Sequence, residues 1–195
     1  MAKRRVAVVG IGQTKHDSIR KDVSMAGLVR EAAERALADA EMTWKDIDAV
    51  VIGKAPDFFE GVMMPEGYLA DALGAVGKPM LRVHTAGSVG GSTALVAASL
   101  VQGGVHDRVL TVAFEKQSES EAMWALSLPI PFQPPLLAGA GGYFAPHVRS
   151  YMRRTKAPDH IGILVALKDR RNGCKNPYAH LQEKDITFEK VRDSI

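Results

Sequence analysis

Residues 83–95, with the sequence VHTAGSVGGSTAL, decide the fold of this chain. An apolar strand ending at Val83 passes through a small, uncharged turn and continues directly into a helix. The first turn of a helix carries backbone N–H groups without intrahelical partners, and these groups favour negative charge. The hydroxyl of Ser88 falls beside them. The pattern therefore predicts Ser88, in the first turn of a helix, as the candidate functional residue.

Strand and helix patterns alternate around this turn. Residues 24–40 place apolar and small side chains at helical spacing, and residues 49–53, 79–83 and 108–114 are short runs typical of buried strands. Ser24 is the predicted N-cap of the first helix. A strand–helix–strand crossover within one sheet joins parallel strands. The sequence thus predicts an α/β fold with a parallel-rich sheet.

Two further segments are predicted to be buried. Residues 5–9 have the pattern of a first buried strand, which ends at Gly10 and Gly12. Lys15 stands where a dinucleotide-binding fingerprint has its third glycine, so the two glycines indicate a structural turn. Residues 85–105 carry no charge. We therefore expect the helix after Ser88 to be buried on all sides.

Composition excludes several classes of function. The chain has 195 residues and a formal net charge of only +3, with its basic pairs scattered, so nucleic-acid binding is not indicated. A single cysteine, Cys174, excludes an intrachain disulfide framework, and no apolar signal core opens the chain. No pattern of metal ligands is present. The uncharged runs at residues 85–105 and 122–148 are too rich in Gly, Ser, Thr or Pro for a membrane span. We expect a cytoplasmic location and no metal.

The composition changes near residue 117. A polar, then Pro-rich, then Gly-rich segment ends the regular layering, and helices are predicted at residues 145–154, 159–172 and 187–194. We therefore divide the chain into domains at 1–117 and 118–195. Residues 55–77 form a long connection between two predicted strands. Its aromatic and Met residues are predicted either to fill the core or to line an apolar ligand surface. They are Phe58, Phe59, Met63, Met64 and Tyr68.

The segment that starts at Ser88, SVGGSTAL, resembles the nucleophile segment of the sterol-carrier-protein type of thiolase, Cys-Ser-Thr-Gly-Ser-Thr-Ala-Leu. Ser88 falls where that family keeps its catalytic cysteine. Residues 9–15 resemble the family's first strand and turn, residues 114–116 resemble the end of a later strand, and residues 176–178 resemble its loop-domain signature. The resemblance implies a thiolase-like layered α-β-α core with an appended loop domain. By the same pattern the chain is incomplete, since it holds one half-fold, the N-terminal half, and a truncated loop domain.

The resemblance also implies a function. A coenzyme A thioester would be the substrate, no cofactor would be bound, and Ser88 would be the catalytic residue. The family's base and acid come from its C-terminal half, so the 195-residue chain alone is expected to be inactive and to expose a sticky half-interface. The complete protein is expected to form a homodimer through the sheet edge near residues 82–85.

Three interpretations remain open. The first is a thiolase-like acyltransferase, or a thiolytic enzyme, acting on a lipid- or steroid-derived acyl-CoA with Ser88 as acyl acceptor. The second is a retro-aldol lyase of side-chain hydroxyacyl-CoA esters, with a small OB-fold and zinc-ribbon partner protein. The third is a non-catalytic lipid-binding or assembly subunit. The product separates the first two, because a lyase releases a ketone or aldehyde and needs no free CoA.

Each candidate side chain also has a plain structural interpretation. For Ser88, that interpretation is an N-cap whose oxygen accepts a backbone N–H. His84 is predicted to be a satisfied core histidine, and Cys174 an ordinary thiol in a loop. His147 lies either in a substrate channel or at the surface. The pairs at residues 153–154 and 170–171 are either solvated or help to hold an anionic cofactor.

Overall fold

A computed structural model describes residues 4–55, 61–119 and 139–194. The chain divides into two compact units. The first comprises Met1–Thr14 and Ile19–Glu121, and the second comprises Lys15–Ser18 and Ala122–Ile195.

The first unit is a parallel α/β layer. Its sheet has the strand order β2-β1-β3, and both strand pairs are parallel. Its elements in chain order are α1 (Met25–Asp39), β1 (Ala49–Gly53), α2 (Pro65–Leu69), β2 (Met80–Val83), α3 (Val89–Gln102) and β3 (Val109–Ala113). The predicted α/β class and parallel sheet are confirmed.

Helix α1 and strand β1 form the centre of the core. The side chain of Ser24 accepts the N–H of Gly27 at 3.1 Å, as predicted for the N-cap of α1. The buried side chains of α1 recur every four residues along one face. Every residue of β1 is buried, because β1 has a strand on each side and a helix packed against its face. The buried face of α1 consists of Met25, Val29, Ala33 and Leu37.

The prediction of a buried strand at residues 5–9 is wrong. These residues have no strand pairing, and Val8 is 84% exposed. The segment beyond them lies against α1 instead, since a Cβ at Gly12 would stand 2.1 Å from the carbonyl oxygen of Ala32. The N–H of Ile11 also donates to the Asp39 carboxylate at 2.8 Å. These contacts hold the segment along helix α1. A β-branched pattern favours extended backbone, but it does not determine whether a neighbouring strand is present to pair with it.

The prediction that the helix after Ser88 is buried on all sides is also wrong. Only Val89, Thr93 and Ala97 of α3 are buried, and Leu95 is 71% exposed. The buried side chains of α3, spaced four residues apart, form one stripe that packs on the sheet. The opposite face of α3 is not covered by any of the described residues. Small, uncharged side chains are compatible with either environment, so the lack of charge did not predict burial.

The aromatic and Met residues of the connection at residues 55–77 do not fill the core where the structure describes them. Met63, Met64 and Tyr68 are all exposed. They lie on and next to the short helix α2, whose buried residues are Pro65 and Leu69. Phe58 and Phe59 lie outside the described residues.

The second unit is helical where it is described. It contains α4 (Gly139–Thr155), α5 (Ile161–Gly173) and α6 (Phe188–Arg192), and α5 packs against α6. The three predicted helices are present, but α4 begins earlier than predicted and continues through Pro146. The N–H of His16 donates to the carbonyl of Tyr178 at 2.8 Å, which ties the short segment at residues 15–18 to this unit. No helix in the described parts of the chain is long and apolar enough to cross a membrane.

Candidate functional site

The candidate site lies at the carboxyl ends of the parallel strands. Lys54 follows β1, the turn that contains Ser88 follows β2, and Glu115 lies just beyond β3. Because the strands are parallel, these three positions share one edge of the sheet. The crevice outside the carboxyl ends of parallel strands is where open α/β sheets bind ligands.

Ser88 is exposed at the point where a 3-10 turn, Ala86–Ser88, becomes helix α3. Its hydroxyl donates to the carbonyl oxygen of Thr85 at 2.8 Å, and its backbone N–H reaches the same oxygen at 3.2 Å. The predicted place at the start of a helix is therefore present. Ser88 is the N-cap residue of α3, but the predicted capping bond is wrong, because the side chain makes no capping hydrogen bond to the helix. The hydroxyl is already turned back to the carbonyl of the preceding turn.

The turn before Ser88 is strained. Ala86 has a φ of 48°, in the left-handed region that residues with a Cβ rarely adopt. The hydroxyl of Thr85 donates to the Oγ of Ser92 at 2.8 Å and so ties the turn to the first part of α3. Strain of this kind persists only where surrounding contacts impose it, and it is concentrated at functional sites. No sequence pattern predicts this strain, since alanine is not a residue type associated with positive φ.

Helix α3 begins directly over the end of β1. A Cβ on Gly53 would stand 2.0 Å from the Oγ1 of Thr93 and 3.1 Å from Cγ2 of Val89. The hydroxyl of the fully buried Thr93 donates to the carbonyl of Val89 at 2.6 Å, so it is satisfied within the helix. This close approach sets the height of the helix N-terminus above the sheet, and with it the position of Ser88.

An ion pair at the same edge of the sheet as the Ser88 turn was missed at the sequence level. The side chain of Lys54 is fully buried, and its Nζ lies 3.5 Å from Oε2 of Glu115. The other carboxylate oxygen of Glu115 accepts the N–H of Ala55. A lysine directly after a buried strand was a usable signal, because lysine is almost never fully buried unless it is paired. Its partner, 61 positions away in sequence, was not predictable.

The other candidate side chains lie elsewhere. His84 is exposed, so the prediction of a core histidine is wrong: β2 ends at Val83 and the following residues leave the sheet. In the second unit, Cys174 is half-buried at the C-cap of α5, and His147 is exposed on α4 with its ring 6.2 Å from that of Phe144. Arg153 and Arg154 are exposed, as is Arg171, whereas Arg170 pairs with Glu183 at 3.0 Å.

The carboxylate of Asp48, near the starts of the strands, has a structural role. Asp48 accepts the backbone N–H groups of Arg108 at 2.8 Å and Asp107 at 3.0 Å, and these bonds hold the pKa of its carboxyl below the usual range. Across the described parts of the chain, no group of three or more His, Cys, Asp or Glu side chains has the arrangement of a metal site.

Curated relatives match nearly the whole chain. Sterol carrier protein 2 of Homo sapiens is 27% identical over 93% of this chain and 35% of that protein. An acetyl-CoA acetyltransferase of Methanothermobacter thermautotrophicus is 27% identical over 98% of this chain and 50% of that protein. The chain therefore spans between about a third and a half of these relatives' length. No protein-family profile matches it.

Solved structures share the fold. A structure described as an Ltp2-ChsH2(DUF35) aldolase aligns with a TM-score of 0.74 and 27% identity, and the match covers 96% of this chain and 48% of that chain. The priming β-ketosynthase of the R1128 polyketide pathway aligns with a TM-score of 0.51 at 20% identity over 64% of this chain, and it supports the fold alone.

The parallel layer, the turn into α3 and these relatives together support a protein of the thiolase superfamily. Within that superfamily the chain is similar to the sterol-carrier-protein type, over the part of those proteins that it spans.

Proposed function

We propose that the complete protein is a carbon–carbon bond-cleaving enzyme that acts on an acyl-CoA thioester, and that it works as a retro-aldol lyase. The observation that supports the proposal most directly is the hydrogen bond made by the Ser88 hydroxyl. Its hydroxyl donates to a backbone carbonyl, which is too weakly basic to activate an alcohol as a nucleophile. A lyase needs no acyl-enzyme. The similarity to an aldolase over 96% of the chain supports the same choice.

The retro-aldol step can be written without a covalent intermediate. A base takes the proton of the β-hydroxyl group, the bond between the α and β carbons breaks, and the hydroxyl-bearing carbon leaves as a ketone or aldehyde. The electron pair moves into the thioester as an enolate, which is then protonated to a shorter acyl-CoA. The positive end of the α3 dipole suits the developing negative charge. Its proposed role is to stabilise the thioester oxygen.

The substrate class and partner are part of this proposal. A lipid- or steroid-derived hydroxyacyl-CoA is the substrate class that we propose, supported by the similarity to sterol carrier protein 2 and to an aldolase. The aldolase is described with a second component, and we propose a partner of the small OB-fold and zinc-ribbon kind for this protein as well. We propose a cytoplasmic enzyme with no resident cofactor.

The test is product analysis with and without free CoA. The complete protein, with its partner, would be incubated with a β-hydroxyacyl-CoA bearing a branched side chain. A lyase releases a ketone or aldehyde and a shorter acyl-CoA in equal amounts, at a rate independent of added CoA. A strict requirement for CoA, with no carbonyl product, would contradict the proposal.

A second candidate is thiolase-like acyl transfer with Ser88 as acyl acceptor. The position of Ser88 favours it, since the hydroxyl is exposed at the N-terminus of a helix, where a developing negative charge is stabilised. Under this candidate, Ser88→Cys should create or raise CoA-dependent activity, because a thiol is a far better nucleophile than an alcohol. An acyl adduct on residue 88, detected by peptide mass spectrometry, would support it over the lyase.

We also propose that the complete protein is a homodimer joined at the free edge of β2. This strand lies at the edge of the sheet, and Leu81 is 40% exposed there. An exposed sheet edge is a template for pairing with a second strand. Leu81→Lys should then weaken the dimer roughly tenfold or more, measured by analytical ultracentrifugation. A strictly monomeric complete protein would contradict this proposal.

A further inference from the structure

Contacts of Lys54 and Glu115 tie together the ends of the strands in the described sheet. The Glu115 carboxylate binds both the ammonium of Lys54 and the N–H of Ala55, which joins the end of β3 to the end of β1. The N–H of Lys54 approaches the carbonyl oxygen of Val83 at 3.4 Å, and this contact reaches the end of β2. The carboxylate that accepts the N–H of Ala55 is also the partner of a fully buried ammonium, so the two groups act together at this end of the sheet.

The same short segment supports the start of α3. Gly53 directly precedes Lys54 and lies in close contact with Thr93 and Val89 on the first two turns of the helix. A displacement of residues 53–55 would therefore move those turns. Ser88 stands immediately before them. The contacts form one continuous path from Glu115 to the Ser88 turn.

We propose that Lys54 and Glu115 are positioning residues that hold the N-terminus of α3 in place for the thioester substrate. This proposal rests on the proposed function, which puts the thioester oxygen at that helix end. Lys54 does not touch the substrate, because its side chain has no solvent-exposed surface. The pair acts through the end of β1.

A thiol at position 88 gives a direct measure of this positioning. The parent for the test is the 195-residue chain carrying Ser88→Cys and Cys174→Ser, which leaves a single reactive thiol. A helix N-terminus lowers a thiol pKa from about 8.5. The pH dependence of alkylation by iodoacetamide would report how well the N–H groups of α3 are aimed at residue 88.

The direction of the change in the thiol pKa distinguishes a positioning role from a direct electrostatic effect. Glu115→Gln removes a negative charge at the sheet edge that carries residue 88, and by electrostatics alone this change would lower the thiol pKa and speed alkylation. Positioning predicts the opposite. The thiol pKa should rise, and alkylation at pH 7 should slow by roughly 3- to 10-fold, the change expected for a pKa rise of about half to one unit.

Two further variants complete the design. The double substitution Lys54→Met with Glu115→Gln removes both charges of the pair, so it keeps the test decisive if Glu115→Gln alone fails to fold. It should slow alkylation similarly. Lys190→Met removes an exposed lysine that pairs with Asp185 in the second unit, and it should leave the rate within about twofold of the parent.

The outcomes distinguish the two proposals. Slower alkylation in both Glu115→Gln and the double variant, with native circular dichroism, supports positioning. Unchanged or faster alkylation in a folded variant overturns it and leaves the proposed function standing. A parent thiol that titrates like a free cysteine would contradict the proposed use of the α3 N-terminus, and the positioning role would fail with it.

Discussion

The residues around Ser88 combine a satisfied hydroxyl with a strained backbone. Ser88 donates to Thr85, and Ala86 holds a φ of 48°. A residue with a Cβ in the left-handed region costs about 1–2 kcal/mol, which the rest of the fold must offset. Nothing in the side chain of Ala86 requires this conformation. We interpret the strain as the means by which the chain passes from β2 into α3 within a few residues.

Ala86→Gly should stabilise the protein. Glycine adopts positive φ without steric cost, so the substitution should raise the free energy of unfolding by about 0.5–1 kcal/mol once the greater freedom of the unfolded chain is deducted. Urea denaturation of the 195-residue chain would measure it. The matched control is Ala94→Gly, at an exposed position within α3, which should cost about 1 kcal/mol. The same sign for both substitutions would contradict the strain at Ala86.

At the scale of elements, the contact between α3 and β1 is the tightest interface that determines the site. Gly53→Ala should be destabilising by about 1–3 kcal/mol, because its Cβ would overlap Thr93 Oγ1 and force the helix away from the strand. Thermal or urea unfolding would show the loss. Adding Thr93→Ala should restore part of it, since that change removes the overlapping oxygen.

Gly90→Ala is the control for this prediction. A Cβ at Gly90 meets no atom within 4 Å, and alanine favours the helix, so this substitution should stabilise the protein by about 0.5–1 kcal/mol. Equal effects of the two Gly→Ala substitutions would mean that α3 does not rest on Gly53 as described.

The start of the sheet should show a pH dependence. Hydrogen bonds from the backbone N–H groups of Arg108 and Asp107 lower the pKa of Asp48 in the folded state, with the Arg108 bond the larger cause. A depressed carboxyl pKa stabilises the folded state above the unfolded pKa of about 3.9. That contribution is lost as the pH falls through the lower folded-state value.

Asp48→Ala should therefore lower the free energy of unfolding at pH 7, and its difference from wild type should shrink as the pH approaches 3. Denaturant melts across this range would follow the difference. Asp48→Asn keeps an acceptor oxygen without the charge, so it should lose less than Asp48→Ala at pH 7. A difference that stays constant with pH would show that the ionised carboxylate has no role in stability.

Local sequence patterns predicted most of the helices and strands. The predictions that failed depend on contacts between segments that are far apart in sequence. The helix begun by Ser24 and the three strands after residue 48 follow from side-chain periodicity and capping, which depend on neighbours in sequence. Residues 5–9 have a strand composition but no strand partner in the structure. A sequence pattern gives the preference of a segment, whereas its neighbour is set by the whole fold.

The candidate site was predictable to a similar extent. The place of Ser88 at the start of α3 followed from the turn and the uncharged helix. The direction of its hydroxyl, the φ of Ala86 and the pairing of Lys54 with Glu115 did not. Each depends on how segments far apart in sequence approach one another, as in the 61-residue separation of the ion pair.

At the scale of the whole molecule, one feature links the fold to the proposed reaction. The carboxyl ends of the parallel strands bring together the Ser88 turn, the N-terminus of α3 and the Lys54–Glu115 pair. The chain spans only about a third to a half of its curated relatives' length. The central claim is that carbon–carbon bond cleavage at this edge proceeds without acyl transfer to Ser88.

The turnover of Ser88→Ala in the complete protein tests that claim most directly. We expect the variant to cleave a β-hydroxyacyl-CoA with kcat within about threefold of wild type, to release a ketone or aldehyde, and to need no added CoA, because no covalent step involves residue 88. Circular dichroism would confirm native folding. A loss of kcat of roughly a thousandfold or more in a folded variant would contradict the account and establish Ser88 as the nucleophile.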